Sequence, residues 1–138
     1  MNTMVQICEI ISGIAAAVAI IISIILYRHG LDRERRTDTL KCFSEIRRKY
    51  FNTKGLSDKE KLKYLNELEY FATGINAKIY DIKIVKKMSG SRLIRQYDNW
   101  ASEFVQYRRK QFGNDKSYCE YEKMIEKLRK KDILKVNK

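Results

Sequence analysis

The 138-residue sequence has no proline, six glycines, three cysteines, one histidine and one tryptophan. Without proline there is no proline-rich linker and no ring to interrupt a helix. Cys8, Cys42 and Cys119 are isolated and form no C-x-x-C pair. That excludes a disulfide framework and zinc-ligand spacing, and it suits a reducing compartment. Only Cys8 stands near an edge where an oxidising side would meet it, and its plain role is that of a small apolar residue. His29 lies between Arg28 and Gly30 with no carboxylate partner in sequence, so it reads as an interfacial residue. The signatures G-x-S-x-G, H-E-x-x-H, G-x-x-x-x-G-K-[ST] and G-x-G-x-x-G are all missing. Glu67 and Glu69 fall on different helix faces and make no evident metal pair. The expectation is a chain that is not an enzyme, with no catalytic residue, metal or cofactor.

Against a mean hydropathy of −0.50, one segment stands out. Ile10 to Tyr27, IISGIAAAVAIIISIILY, holds 18 residues and no charge. At about 1.5 Å per residue it forms a helix roughly as long as the hydrocarbon core of a bilayer is thick. No Lys or Arg precedes the run, and YRHGLDRERR follows it in place of a small-residue cleavage site, so an uncleaved anchor is expected rather than a signal peptide. Arg28, Arg33, Arg35 and Arg36 lie after the span, while Glu9 lies before it. By the positive-inside rule the N-terminus is outside and the remainder cytoplasmic. The predicted organisation is an anchor over 1–28 (span about 5–27), a basic juxtamembrane helix and loop over 29–56, and a cytoplasmic helical domain over 57–138.

The span is not uniform around its circumference. Gln6, Glu9, Gly13, Ala16, Ile20, Ser23 and Tyr27 recur at helical spacing and collect most of its polar and small residues, opposite Ile14, Val18, Ile21, Ile22 and Ile25. Gly13-x-x-x-Ala17 and Ala15-x-x-x-Ala19 are small-residue pairs that let helices approach. This predicts a homo-oligomer, a tetramer being favoured. Glu9 either sits in the headgroup layer or rings the outer mouth of a pore.

Beyond the span the apolar positions keep helical spacing and no useful period-2 alternation occurs, so the fold class is all-α: one transmembrane helix, then a small bundle of four or five helices. A first segment, about Leu31 to Phe51, aligns Leu40, Phe43, Ile46 and Tyr50. Ser57-x-x-Glu60 is a capping box opening a helix with Leu62, Leu65, Leu68, Ala72, Ile75 and Ile79. Asp81 caps a shorter piece ending near Gly90, and a long helix runs from about Ser91 to Phe112 with Tyr97, Trp100, Phe104 and Tyr107 along one stripe. Ser117-x-x-Glu120 reads as a second capping box opening the last helix, with Tyr121, Ile125 and Leu128. The final residues, KKDILKVNK, read as frayed.

The net charge of +12, from 29 Lys/Arg and 17 Asp/Glu, is uneven. Residues 28–54 hold nine bases against four acids, 55–80 four against four, 81–112 eight against three, and 113–138 eight against five. Juxtamembrane bases suit the anionic inner leaflet. Arg108, Arg109 and Lys110, and Arg129, Lys130 and Lys131, end helices whose C-termini favour cations. Lys83, Lys86, Lys87, Arg92 and Arg95 surround the MSGSR break, where backbone N–H groups at a helix start would suit phosphate. Together with Arg108 and Arg109 they are the predicted phosphate ligands of an oligonucleotide or another polyphosphate. Tyr97, Trp100 and Tyr107 serve either as core residues or as platforms for bases.

The run from Leu65 to Gly113 resembles a family of small bacterial single-span membrane proteins of unassigned function. The matching residues are Glu69, Phe71, Ala72 and Gly74, then Trp100, Phe104, Val105 and Arg109. Such proteins look like the membrane effectors of Hailong-type antiphage systems. The resemblance implies an ion-channel-like effector held shut by short DNA oligomers from a partner nucleotidyltransferase. It carries no ligand residue over to this sequence. The leading expectation is a nucleotide-gated membrane effector of antiphage defence, acting by abortive infection. The alternative is a non-catalytic tether or scaffold that binds a protein partner and anionic lipid.

Overall fold

The computed structural model describes residues 2–130. The C-terminal residues expected to fray lie, from Lys131 onward, outside the described residues. Among those described, every element is helical and there is no strand. The chain divides into two compact units, Met1–Glu34 and Arg35–Lys138.

The first unit is helix throughout its described residues, the opening stretch of α1 (Asn2–Lys49). One 18-residue window of α1 is long and apolar enough to cross a membrane, and none of it is buried within the chain. Its length and composition are compatible with a membrane span. Ser23 returns its hydroxyl proton to the Ala19 carbonyl at 2.8 Å, so this polar group is satisfied within its own helix.

The second unit is a helical bundle. Its elements are the last turns of α1, a 3₁₀ turn (Thr53–Gly55), α2 (Asp58–Asn76), α3 (Ile82–Gln96), a π-turn (Tyr97–Ala101), α4 (Ser102–Phe112) and α5 (Cys119–Arg129). α2 packs most extensively on α5, and α5 packs in turn on α3. The core draws Phe43 and Ile46 from α1, Tyr64, Leu65, Leu68, Phe71, Ala72 and Ile75 from α2, Val85 and Leu93 from α3, and Tyr121, Met124, Ile125 and Leu128 from α5. Thr39, Phe43 and Ile46 are buried, so this stretch of α1, grouped by sequence with the juxtamembrane segment, is part of the bundle core.

α2 opens on the expected box. The Ser57 hydroxyl accepts from the Glu60 N–H, and the Glu60 carboxylate accepts from the Ser57 N–H at 2.8 Å. Those bonds to the ionised form hold the Glu60 carboxyl below its ordinary range. α2 stops three residues before Ile79, which was expected on its apolar face. The Ile79 and Tyr80 amides instead turn back to the Gly74 carbonyl, Lys78 is left-handed at φ 60°, and Ile79 is exposed. Gly74 allows this turn because the Tyr80 ring lies 2.5 Å from where a Cβ would stand. Asp81 caps α3 as expected, accepting from the Lys83 N–H at 2.9 Å.

Two expectations change. The break at MSGSR is a kink at Ser89 inside α3, and both Ser89 and Gly90 are buried. A Cβ on Gly90 would meet the Lys86 stem at 3.3 Å and Leu128 at 3.9 Å, so packing fills the place where an open helix start was expected to receive phosphate. The Ser117 capping box does not form. Tyr118 stands at the N-cap of α5 in a left-handed conformation and gives no side-chain cap. The Glu69 carboxylate of α2 caps α5 instead, accepting from the Glu120 N–H at 3.2 Å and the Tyr121 N–H at 2.7 Å. A carboxylate there also opposes the positive end of the helix dipole.

Glu69→Ala is expected to cost about 1–2 kcal/mol, a fall of roughly 4–12 °C in melting temperature for a domain of this size. Ser117→Ala should move it by no more than a degree or two; circular dichroism melts of the detergent-solubilised protein separate the two assignments. Gly74→Ala should also lower it, because overpacking against Tyr80 outweighs the helix propensity gained, about 1–3 against about 1 kcal/mol.

Candidate functional site

Between the segment that follows α1 and the junction of α3 with the π-turn lies a groove of about 370 Å³. One wall is Phe51, Asn52, Thr53 and Lys54; the other is Arg92, Arg95, Gln96, Asn99 and Trp100. Asn52 shapes the first wall by accepting from the Lys54 N–H at 3.2 Å, which caps the 3₁₀ turn. Asn99 and Trp100 of the second wall lie within the π-turn, where the Ser102 N–H reaches back to the Tyr97 carbonyl. The extra residue shifts everything after it around the helix, a feature common at functional sites.

The base of the groove is a hydrogen-bonded relay. The buried Tyr64 hydroxyl donates to Gln96 Oε1 at 2.8 Å, and Gln96 Nε2 donates to Thr53 Oγ1 at 3.1 Å. Burial pushes the Tyr64 phenol up to about 12, with the Arg92 charge working against the rise. Trp100 is half-buried, tilted against Tyr64 at 6.3 Å and edge-on to Phe104 at 6.5 Å between centroids, with the Lys61 ammonium 5.6 Å from its ring. Arg92 donates to the Phe51 carbonyl and places its guanidinium 5.6 Å from the Phe51 ring centroid. Arg95 is exposed and Lys54 is exposed, so both charges face solvent at the rim. Three cations, two aromatic rings and several amide or hydroxyl groups thus share one concavity, which suits an anion bearing planar rings.

Of the predicted phosphate ligands, the structure brings Arg92 and Arg95 to this groove. Lys83 and Lys87 are exposed on α3 and do not line it. Lys86 donates to the Lys130 carbonyl at 2.8 Å, closing the end of α5. Arg108 lies 4.2 Å from the Phe112 ring centroid and lines a separate hollow with Asn66, Lys116 and Tyr118. Arg109 is a structural clamp, paired with Glu122 at 2.7 Å and donating to the Ser117 carbonyl at 2.9 and 2.7 Å. The Glu122 carboxylate raises its already high pKa.

The aromatic stripe is also divided by the π-turn. Trp100 lines the groove, Tyr97 packs edge-on to Tyr121 and donates to Glu122 at 2.9 Å, and Tyr107 is exposed. Of the bases expected at the lipid surface, Arg28 and Arg33 are exposed. Arg35 donates to the Tyr80 carbonyl at 3.2 Å and Arg36 pairs with Asp81 at 3.7 Å. Gln6, Glu9, Gly13, Ala16, Ala17, Ile20 and Ser23 are all exposed along α1. Phe51, Asn52, Thr53, Lys54, Gln96 and Asn99 were not legible as site residues. Asn52 two residues before Lys54 is a turn signal, but nothing local says which helix the turn will face.

Residues 9–128 match the family described as a domain of unknown function, DUF4760, and the chain belongs to that family. Comparison with curated proteins and with solved structures gives no match.

The buried tyrosines set the alkaline limit of the bundle. A phenol whose pKa is raised by folding contributes stability that is complete below its unfolded value near 10 and is lost as pH climbs through the folded value. For Tyr64 that window is pH 10 to about 12, worth on the order of 3 kcal/mol. The melting temperature should be flat to about pH 9 and fall above 10. In Tyr64→Phe the fall should be shallower, from a lower starting point because Gln96 loses its donor. A pH series of thermal melts reads both.

Proposed function

We propose that this member of the DUF4760 family is a membrane effector gated by an oligonucleotide that binds its helical domain in the groove between Phe51 and Trp100. The observation that carries the reading is the pairing of Lys54, Arg92 and Arg95 with two aromatic rings in one concavity, on a chain whose α1 carries an uncovered apolar stretch of membrane-spanning length. Phosphates take the cations and bases take the rings, a combination used for single strands without strict sequence preference.

In this reading the protein sits in a bacterial inner membrane with its N-terminus outside and its bundle cytoplasmic. Copies associate through the stripe of Gln6, Glu9, Gly13, Ala16, Ala17, Ile20 and Ser23, with four favoured. The ligand controls whether that assembly admits ions and collapses the membrane potential. The resemblance to Hailong-type effectors supplies the biological setting, antiphage defence with a partner nucleotidyltransferase as the source of the ligand, and suggests that ligand holds the assembly shut. Arg28 and Arg33 attract anionic lipid. No catalytic step is assigned to any residue.

Native mass spectrometry of the detergent-solubilised protein, kept from nuclease and read alongside absorbance at 260 nm, tests this directly. An oligomer carrying nucleic acid of defined length is expected. Lys54→Glu with Arg95→Glu should strip the nucleic acid while leaving the oligomer, and Glu9→Ala should abolish growth arrest on overexpression while leaving the protein in the membrane fraction. A nucleic-acid-free protein that is harmless when overexpressed would replace this reading with the tether. Each phosphate contact removed should reduce the salt dependence of binding by about one unit of slope.

A further inference from the structure

We infer that Arg92 is a latch between the ligand groove and the chain segment that ends α1, and that a phosphate group opens it. The inference rests on the reading of the groove as the ligand site and adds how occupancy is transmitted. Arg92 does two things in this structure: its guanidinium donates to the Phe51 carbonyl, and it lies over the Phe51 ring. Phe51 is otherwise poorly held, 72% exposed and two residues beyond the last residue of α1. The segment from Phe51 to Lys54 is therefore fastened to α3 chiefly by Arg92 at one end and by the Thr53–Gln96 bond at the other.

The same guanidinium lines the groove. Among the described residues it is held by a neutral carbonyl and a ring, with no carboxylate in ion-pair distance. A phosphate oxygen is a stronger acceptor than a peptide carbonyl and matches the fork of an arginine. A phosphate seated between Arg92 and Arg95 draws the guanidinium off Phe51, and the 51–54 segment loses its fastening. Because that segment continues directly from α1, groove occupancy becomes a change in how α1 is terminated. A two-state element biased by a ligand that prefers one state is what a switch requires.

Hydrogen exchange of the full-length protein in detergent, with inorganic tripolyphosphate as the probe, tests the latch. Emission from Trp100, the sole tryptophan, reports occupancy in the same samples. In wild type, tripolyphosphate should shift the emission and speed exchange of the 52–56 amides about tenfold, the size of one lost charge-assisted bond. Arg92→Gln should give that faster exchange without the probe, with α5 core amides unchanged as evidence of folding. If the variant's core also exchanges fast, the wild-type arm decides alone. A shifted emission with slowed 52–56 exchange overturns the latch and leaves the ligand site standing. An emission that never shifts overturns the site and the latch with it. Faster exchange on moving wild type into phosphatidylglycerol nanodiscs without tripolyphosphate supports the latch and identifies a lipid headgroup as the phosphate that opens it.

Discussion

The bundle depends on one carboxylate. α5 begins at a left-handed Tyr118 with no cap of its own, and its first amides would be buried donors without acceptors. Glu69, from the middle of α2, supplies both oxygens. The contact fixes the register of α5 along α2, and that register lets Tyr121, Met124, Ile125 and Leu128 meet Leu65, Leu68 and Ala72 in the core. Arg109 fastens the same junction from α4 through Glu122 and the Ser117 carbonyl. α2 held this way presents Tyr64 to Gln96 and hence the floor of the groove. The site is thus a consequence of a helix cap on the other side of α2's sequence neighbourhood.

The residues that carried the family resemblance acquire physical reasons here. Glu69 caps α5, Phe71 stacks on Phe43 and Tyr80 at 5.4 and 5.0 Å, Ala72 is fully buried, and Gly74 leaves room for the Tyr80 ring. Trp100 walls the groove and Arg109 clamps α4 to α5. Most of that pattern is therefore about holding the bundle together.

What was legible in the sequence was what is local. The Ser57–Glu60 box and the Asp81 cap bond within three residues, so spacing alone finds them. The Ser117–Glu120 pattern has the same spacing and fails, because a carboxylate 51 residues away competes for the same amides and wins. The apolar run and the helical periodicity were plain for the same reason of locality. The π-turn left no trace, since one inserted residue preserves helical spacing on either side while rotating Trp100 away from Tyr97. The groove was half legible. Arg92 and Arg95 were visible as a basic cluster, but their opposite wall comes from a loop some 40 residues earlier, brought there by the core.

The positive charge has its own logic. With 17 acids for 29 bases, some cations turn to carbonyls: Arg35 donates to Tyr80 and Arg92 to Phe51. A carbonyl satisfies the donors without cancelling the charge, so the field of the domain stays positive. It also sets which cations can change partners. Freeing Arg109 would take from the partly buried Glu122 carboxylate its charge partner and leave it the Tyr97 hydroxyl alone among its donors in the described residues. Freeing Arg92 strands only one exposed carbonyl, which water satisfies at a cost of about 1–2 kcal/mol, and a phosphate returns more than that through two parallel charge-assisted bonds. Scarcity of acid therefore leaves the groove arginine held firmly enough to order the loop and loosely enough for an anion to take it.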